Sequence, residues 1–220
     1  MRQLKIQQRH EKASSKKGRI RVEAILNAAR DLLIEEGYAS LSMRKVAARC
    51  HITVGNLSYY YASKTDLLND LVDAVIQGYI GWWIGILNDK TLSSEQQFKA
   101  LITFIIEDLE TRETTAFFPE LWALANHEEF ANEAMDSVYD PVQQMLVTMI
   151  KRLRPTLNTH ETDMLAVHMM ASMEGHTVFL GYGKKWMRKS ANMAQFIADS
   201  YYNLVMSYTA GTIEKSIINK

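Results

Sequence analysis

The 220-residue chain has few of the residues that interrupt helices or crosslink a fold. It contains one cysteine, three prolines and ten glycines. A single cysteine, Cys50, excludes an intramolecular disulfide framework and a cysteine-rich zinc site. Because proline and glycine are scarce and strand-like alternation is rare, the composition favours an all-helical protein.

Long uncharged apolar runs are also missing. The N-terminal stretch lacks the apolar segment of a secretory signal. The richest apolar tract, residues 164–182, is interrupted by His168, Glu174 and His176. It therefore falls short of the roughly 18 to 20 apolar residues that a membrane-spanning helix needs. We expect a soluble, cytoplasmic protein with no membrane partner.

The motifs of common enzyme classes are absent as well. There is no HExxH, no phosphate-binding P-loop, no serine-centred elbow and no dinucleotide-binding glycine pattern. On a helix, Glu174 would point about 120° away from the line of His168 and His176, which disfavours a shared metal ion. We expect neither an enzyme nor a bound metal or cofactor.

Charge is divided unevenly along a chain whose net charge is zero. Residues 1–64 contain 13 Lys and Arg against 5 Asp and Glu, a net of +8, and residues 65–220 contain 12 against 20, a net of −8. A basic segment of this kind is typical of a protein that binds a polyanion. A basic tail explains only part of the excess, because Arg44, Lys45, Arg49 and Lys64 lie beyond it.

Apolar periodicity and capping residues predict three helices before residue 65. The first begins near Arg19 and ends at Gly37, which suits a C-cap glycine. Ser42 is expected to cap a short second helix, and Thr53 a third that runs to about Tyr60. Two short helices joined by a tight turn form a helix-turn-helix, whose second helix enters the major groove of DNA.

Longer helical patterns follow, giving about nine helices in all. Pro119 fits a first helical turn or a kink, and Pro141 should kink or break its helix. The residues expected to begin these later helices are Ser63, Ser93 or Ser94, His127, Thr159 and Ser190.

The stretch ITVGNLSYYYASKTDLL, with Gly37-Tyr38 and SMRKVA before it, resembles the DNA-binding domain of the TetR family of bacterial regulators. The similarity covers about residues 19–68. His51 stands where the family often has glycine, Ser58 where it often has an aromatic residue, and Lys45 where it often has an acidic one. Histidine tolerates a left-handed backbone better than most residues, so we expect the turn to form.

The resemblance implies a set of DNA-binding residues. Arg44 suits guanine and Asn56 suits adenine, whereas hydroxyls at helix starts suit phosphate. Tyr61 corresponds to the family's core aromatic, while Tyr59 and Tyr60 either face DNA or shield the junction with the fourth helix. The full set is Arg19, Arg21, Ser42, Arg44, Thr53, Val54, Gly55, Asn56, Tyr59, Tyr60 and Lys64.

For the remainder of the chain the resemblance implies an effector-binding and dimerisation domain. The last two long helices are expected to form the dimer contact. Aromatic and methionine side chains are candidates for an effector pocket, although the same residues equally suit a plain core or an interface. The candidates are Trp82, Phe117, Phe118, Trp122, Tyr139, His168, Met169, Met173 and His176.

The sequence thus predicts an all-α protein with a flexible basic arm (1–17), a helix-turn-helix domain (18–64) and a helical effector-binding and dimerisation domain (65–220). The expected function is that of a homodimeric repressor, released from a palindromic double-stranded DNA operator by a small, partly apolar effector. The alternative is a helical small-molecule-binding protein or enzyme without a specific DNA target.

Overall fold

The predicted all-α fold is confirmed. The computed structural model of the protein describes residues 15–187 and 192–211, and within these ranges it contains helices and no strand. None of the helices in the described ranges combines the length and hydrophobicity that crossing a bilayer would take. The helices are α1 (Lys16–Glu36), α2 (Met43–Arg49), α3 (Val54–Tyr60), α4 (Lys64–Asn88), α5 (Ser94–Leu109), α6 (Arg112–Ala125), α7 (Glu129–Leu153), α8 (Thr159–Leu180) and α9 (Met193–Ser207).

Side-chain caps fix several helix starts where the sequence predicted them. Ser42, Thr53, Ser63 and Ser93 each accept a hydrogen bond from the backbone N–H three residues later. Asn158 does the same at the start of α8, where Glu161 returns a bond to the Asn158 N–H. Because these oxygens bind N–H groups that have no partner within the helix, they decide locally where each helix begins.

One predicted helix start requires correction, and a second lies outside the described residues. Helix α1 begins at Lys16, because the Ser15 hydroxyl accepts a 3.0 Å hydrogen bond from the Gly18 N–H. Residues 16–17 therefore belong to α1 and not to the arm, and the rest of the predicted arm, residues 1–14, lies outside the described residues. Helix α9 begins at Met193, after Asn192 in a left-handed conformation, and the predicted start at Ser190 is likewise outside the described residues.

Both helical prolines lie inside helices. Pro119 is internal to α6 and not in its first turn. Helix α7 continues through Pro141, so the predicted break does not occur. Proline removes one backbone N–H donor from the helix, and the hydrogen bonds on either side keep α7 continuous.

The chain forms two compact units. Unit 1 contains Met1–Trp82 and Glu113–Val138, and unit 2 contains Trp83–Arg112 and Tyr139–Lys220. Unit 1 therefore includes the whole predicted helix-turn-helix domain, α4 as far as Trp82, α6 from Glu113 onward and the first part of α7. The domain boundary proposed from the sequence, between residues 64 and 65, falls in the first turn of α4, whereas unit 1 continues to Trp82.

Unit 2 is stabilised by contacts of its own around α5, α8 and α9. Lys99 on α5 forms ion pairs with Glu95 at 2.7 Å and with Asp199 on α9 at 2.9 Å. The Arg154 guanidinium donates hydrogen bonds to three carbonyl oxygens at the end of α9, those of Val205, Met206 and Tyr208. A cation at this end of a helix satisfies carbonyl groups that have no helical partner.

Candidate nucleic-acid interface

A left-handed residue makes the turn between α2 and α3. His51 has φ 53°, the conformation that glycine adopts most easily. The Ile52 N–H donates to the Ala47 carbonyl oxygen at 3.0 Å, which closes the turn behind α2. The expectation that histidine supports this turn is therefore confirmed. Its conformation directs the chain from α2 into α3.

The two short helices bury three apolar side chains and leave most of their polar residues exposed. Val46 and Ala47 of α2 and Leu57 of α3 are buried at or near zero exposure. Of the eleven predicted DNA-binding residues, Arg21, Tyr60 and Lys64 are half-buried. The others are exposed: Arg19, Ser42, Arg44, Thr53, Val54, Gly55, Asn56 and Tyr59. Unit 1 therefore leaves most of the residues that the sequence suggested for DNA accessible to solvent.

Of the three consecutive tyrosines, Tyr61 is the buried one. Tyr61 is 2% exposed, and its hydroxyl donates a 2.5 Å hydrogen bond to Oδ2 of Asp70 on α4. Burial, followed by this hydrogen bond, raises the pKa of Tyr61 well above its ordinary value. Tyr59 is 59% exposed and meets the Tyr60 ring edge to face at 5.1 Å. The prediction that Tyr61 packs in the core is confirmed, while DNA contact by the other two stays a prediction.

Ion pairs distinguish the cations of α2. Lys45 pairs with Glu36 at 2.6 Å, and Arg49 pairs with Glu35 at 2.8 Å. Both therefore connect α2 to the end of α1. Within the described part of the chain Arg44 has no such partner and is exposed. Of the basic residues of α2, Arg44 is the one whose charge remains available to an external anion.

Lys64, at the start of α4, is held by Tyr38. Its ammonium group donates a 3.1 Å hydrogen bond to the Tyr38 carbonyl oxygen and lies 3.5 Å from the centre of the Tyr38 ring. Burial lowers the pKa of Lys64, an effect that the negative charge of Glu128 partly offsets. The sequence did not indicate this role for Tyr38, since 26 residues separate the two.

The effector candidates fall into both compact units. Trp82, Phe117, Phe118 and Trp122 belong to unit 1, where the two phenylalanines are buried, Trp122 is half-buried and Trp82 is 51% exposed. In unit 2, Met169 and Met173 are core residues, His168 is exposed and His176 is half-buried. Tyr139 is also half-buried in unit 2. Their role in binding a ligand stays a prediction.

Glu174 is the titratable group of α8 that its surroundings perturb most. The residue is half-buried, but its Oε2 atom is fully buried and accepts no hydrogen bond from the protein. Burial raises the pKa of Glu174 to about 7, and a hydrogen bond with Tyr139 opposes this shift. His176, unlike Oε2 of Glu174, has a hydrogen-bonding partner within the protein: its Nδ1 atom lies 2.5 Å from the Ser172 carbonyl oxygen on its own helix.

An apolar surface runs along α8. Exposed side chains recur every three or four residues at Met164, Val167, Ala171, Gly175 and Val178, a spacing that puts them on one face. A Cβ atom at Gly175 would meet nothing within 4 Å. His168 and Phe179 flank this face, and Phe196 and Met206 are exposed on α9. We use the name α8–α9 apolar face for Met164, Val167, Ala171, Gly175 and Val178 of α8 together with Phe196 and Met206 of α9.

Comparison with known proteins agrees with the helix-turn-helix. Residues 25–71 match the family model described as bacterial regulatory proteins, tetR family. The chain is 27% identical over 164 residues to an uncharacterised HTH-type transcriptional regulator in the dhlA 5′ region of Xanthobacter autotrophicus, covering 72% of this chain and 78% of that protein.

Solved structures share the fold over most of the chain. A putative TetR-family transcriptional regulator from Mesorhizobium loti has a TM-score of 0.70 at 16% identity and covers 88% of this chain and 98% of its own. A putative TetR-family regulator from Rhodococcus has a TM-score of 0.68 at 19% identity, with coverage of 86% and 100%. These similarities extend the agreement beyond the helix-turn-helix to the fold of the remaining helices.

Proposed function

Residues 25–71 make this chain a member of the tetR family of bacterial regulatory proteins, and on that premise we propose that it is a homodimeric repressor that a small-molecule effector releases from DNA. Membership of the family implies that the chain is a transcriptional regulator with a DNA-binding domain. Repression, dimerisation and effector response are the proposal. The observation that carries it is the exposed surface of α2 and α3, with Arg44 and Asn56 accessible above a buried core.

DNA recognition is assigned by chemistry. The Arg44 guanidinium can pair with guanine and the Asn56 amide with adenine, because each matches two groups on the edge of its base in the major groove. Arg19, Arg21 and Lys64 supply positive charge for phosphates, which adds affinity without sequence preference. The hydroxyls of Ser42 and Thr53 already cap their helices through an oxygen lone pair, and each keeps its O–H as a donor to phosphate.

The α8–α9 apolar face supports a dimer. Val167, Val178 and Phe196 are 52%, 58% and 67% exposed, and exposed apolar side chains that lie together mark protein–protein interaction sites. Ala171 and Gly175 are small residues in the middle of this face, and they let a second helix approach closely. In a dimer the α8–α9 apolar face of each copy would cover that of the other through the same contacts, as two-fold symmetry requires. On this proposal His168 lies at the dimer contact.

An effector is supported by the interior of unit 2. A buried polar atom without a hydrogen bond costs roughly 1–3 kcal/mol, and Oε2 of Glu174 is such an atom. A ligand that donates a hydrogen bond to this oxygen would remove the cost. Met169 and Met173 are buried on the same helix and suit the apolar part of such a ligand.

The proposed mechanism is a two-state dimer. DNA binding requires two α3 helices about 34 Å apart, one turn of the double helix. An effector that favours another separation lowers the DNA affinity, and by linkage DNA lowers the effector affinity by the same factor. An effector that binds the free and the DNA-bound protein equally well would exclude this mechanism.

The test is binding of the purified protein to the DNA upstream of its own gene and to random DNA, across a salt series. We expect tight, specific binding with a steep salt dependence, and a footprint of two half-sites one helical turn apart. If a library of random DNA sequences yields no enriched sequence either, the alternative of a helical ligand-binding protein without a DNA target replaces the proposal.

A further inference from the structure

The backbone of Tyr38, just after α1, is bound from two sides by side chains distant in sequence. Its N–H donates a 2.8 Å hydrogen bond to Oε2 of Glu120, on α6. Its carbonyl oxygen accepts the 3.1 Å hydrogen bond from Lys64, at the start of α4. All three residues belong to unit 1. One residue therefore connects α6 to a predicted DNA-binding lysine.

Gly37 lies next to the Glu120 carboxylate. The glycine has φ 77°, a left-handed conformation that most side chains disfavour. A Cβ atom at this position would lie 3.4 Å from Oε1 and 3.6 Å from Oε2 of Glu120. Both carboxylate oxygens thus lie against the peptide between Gly37 and Tyr38, at ordinary van der Waals distances, and the positive φ is what favours glycine at this position.

Tyr38 in turn restricts the Lys64 ammonium group. The ring contact at 3.5 Å and the carbonyl hydrogen bond fix a side chain that otherwise samples many rotamers. An ammonium group has three N–H donors, and the carbonyl hydrogen bond and the ring contact leave one for a phosphate. Because the ordering is completed before DNA arrives, less conformational entropy is lost on binding.

We propose that Glu120 is a positioning residue for DNA binding, which fixes Tyr38 so that Tyr38 holds the Lys64 ammonium group where it binds phosphate. The inference rests on the proposed DNA-binding function. It also connects α6 to the DNA surface through Tyr38 and Lys64. The same helix carries the effector candidates Phe117, Phe118 and Trp122. A change in α6 that moves Glu120 releases Lys64.

Simple electrostatics predicts the opposite effect of removing Glu120. A carboxylate near a DNA-binding surface repels phosphate, so its loss should tighten binding to any DNA. The positioning role predicts weaker binding. The direction of the change therefore separates the two explanations, and Glu133→Ala provides the matched control, since Glu133 is an exposed carboxylate on α7 in the same unit.

The first experiment measures DNA affinity by fluorescence anisotropy, with the DNA sequence that the wild-type protein selects from a random library. We expect Glu120→Ala to weaken binding about tenfold, as loss of a charge-assisted hydrogen bond would. Glu120→Gln keeps an oxygen that accepts from the Tyr38 N–H, and should stay within about threefold of the wild type. Equal or tighter binding by Glu120→Ala, matching Glu133→Ala, overturns the proposal.

A double-mutant cycle separates positioning from general destabilisation. If Glu120 acts through Lys64, then Glu120→Ala adds little to the loss already caused by Lys64→Ala. The salt dependence of Glu120→Ala should become shallower, as that of Lys64→Ala does. Additive losses with an unchanged salt dependence would mean that Glu120 only supports the fold. Tyr38→Leu, which keeps the backbone contacts and removes the ring, should resemble Lys64→Ala if the ring holds the ammonium group.

The second experiment uses DNA as the ligand, because coupling between two sites is reciprocal. In the wild type, DNA should slow amide hydrogen exchange both in α3 and in residues 112–125. In Glu120→Ala, at saturating DNA, α3 should still be protected while α6 is not. Equal protection of α6 in both proteins overturns the coupling. Failure of the wild type to select any DNA sequence refutes the proposed function itself, a result distinct from normal binding that is indifferent to Glu120.

Discussion

The Tyr61 hydroxyl is 2.5 Å from Oδ2 of Asp70, and this hydrogen bond joins the end of α3 to α4. Its position matters because α3 has only seven residues and contributes one buried side chain, Leu57. A short helix cannot hold its orientation through its own hydrogen bonds. Tyr61 and Asp70 therefore help to fix the orientation of α3 relative to α4.

Tyr61→Phe should lower the free energy of unfolding by about 1–2 kcal/mol, because the buried ring stays while the Asp70 carboxylate loses a donor. Urea unfolding of the purified protein measures this difference. The matched control is Tyr59→Phe, which removes a hydroxyl from an exposed neighbour and should change stability little. Equal stability of Tyr61→Phe and wild type would show that the hydrogen bond contributes nothing net.

Asn56→Ala should alter which base pairs the protein prefers at one position of its site. A side chain that binds a base edge through two hydrogen bonds discriminates by about 1–3 kcal/mol, whereas a phosphate contact weakens all sequences alike. Selection from a DNA library compares wild type, Asn56→Ala and Ser58→Ala. Ser58 is exposed on the same helix and serves as control. An unchanged preference in Asn56→Ala would remove Asn56 from base recognition.

Ala171→Glu should convert the proposed dimer into a monomer. The substitution puts a charge in the middle of the α8–α9 apolar face, where a partner helix would have to bury it without a counter-ion. Light scattering coupled to size-exclusion chromatography gives the mass, which should halve. Thr148→Glu adds the same charge at an exposed position on α7 and should leave the mass unchanged. A dimeric Ala171→Glu protein would place the dimer contact elsewhere.

Glu174→Gln should stabilise the protein at pH 8 but not at pH 4.5 or below. The folded-state pKa of Glu174 is about 7 and its ordinary value is 4.5, so the folded protein holds more protons than the unfolded chain between these values. Wild-type stability from this group is therefore lost as pH rises through 7. The gain of Glu174→Gln at pH 8 should be about 2 kcal/mol, below the full conversion of the shift because the residue is only half-buried.

Unfolding curves from pH 4 to pH 8 test this prediction, with Glu133→Gln as the exposed control. The difference between Glu174→Gln and wild type should grow with pH and level off above pH 7. A difference independent of pH would mean that Glu174 is not the group that titrates. A difference that shrinks as pH rises would contradict the predicted sign.

Features decided by neighbouring residues could be predicted from the sequence. Ser42 and Thr53 cap helices through an N–H three residues away. His51, which stands where the family often has glycine, indicated a left-handed turn. The all-α fold and the burial of Tyr61 followed from periodicity and from the resemblance. These interactions are short in sequence, and therefore leave a recognisable local pattern.

Contacts between distant segments could not be predicted in this way. Glu120 and Tyr38 are separated by 82 residues, and a glutamate after a helical proline carries no sign that it will bind a backbone N–H. Arg154 reaches the end of α9 across more than 50 residues in the same manner. Such pairs depend on how helices pack, for which a single sequence supplies no pairing rule.

The division of the chain into two interrupted units has a practical consequence for dissecting the protein. A fragment ending at Trp82 would contain every predicted DNA-binding residue, yet it would lack Glu113–Val138, the other segment of unit 1. In that fragment the Tyr38 N–H would have lost Glu120, and Lys64 the negative charge of Glu128. A shortened protein that still carries α1 to α3 would therefore report on a lysine released from its restraint, and its affinity for DNA would understate that of the full chain.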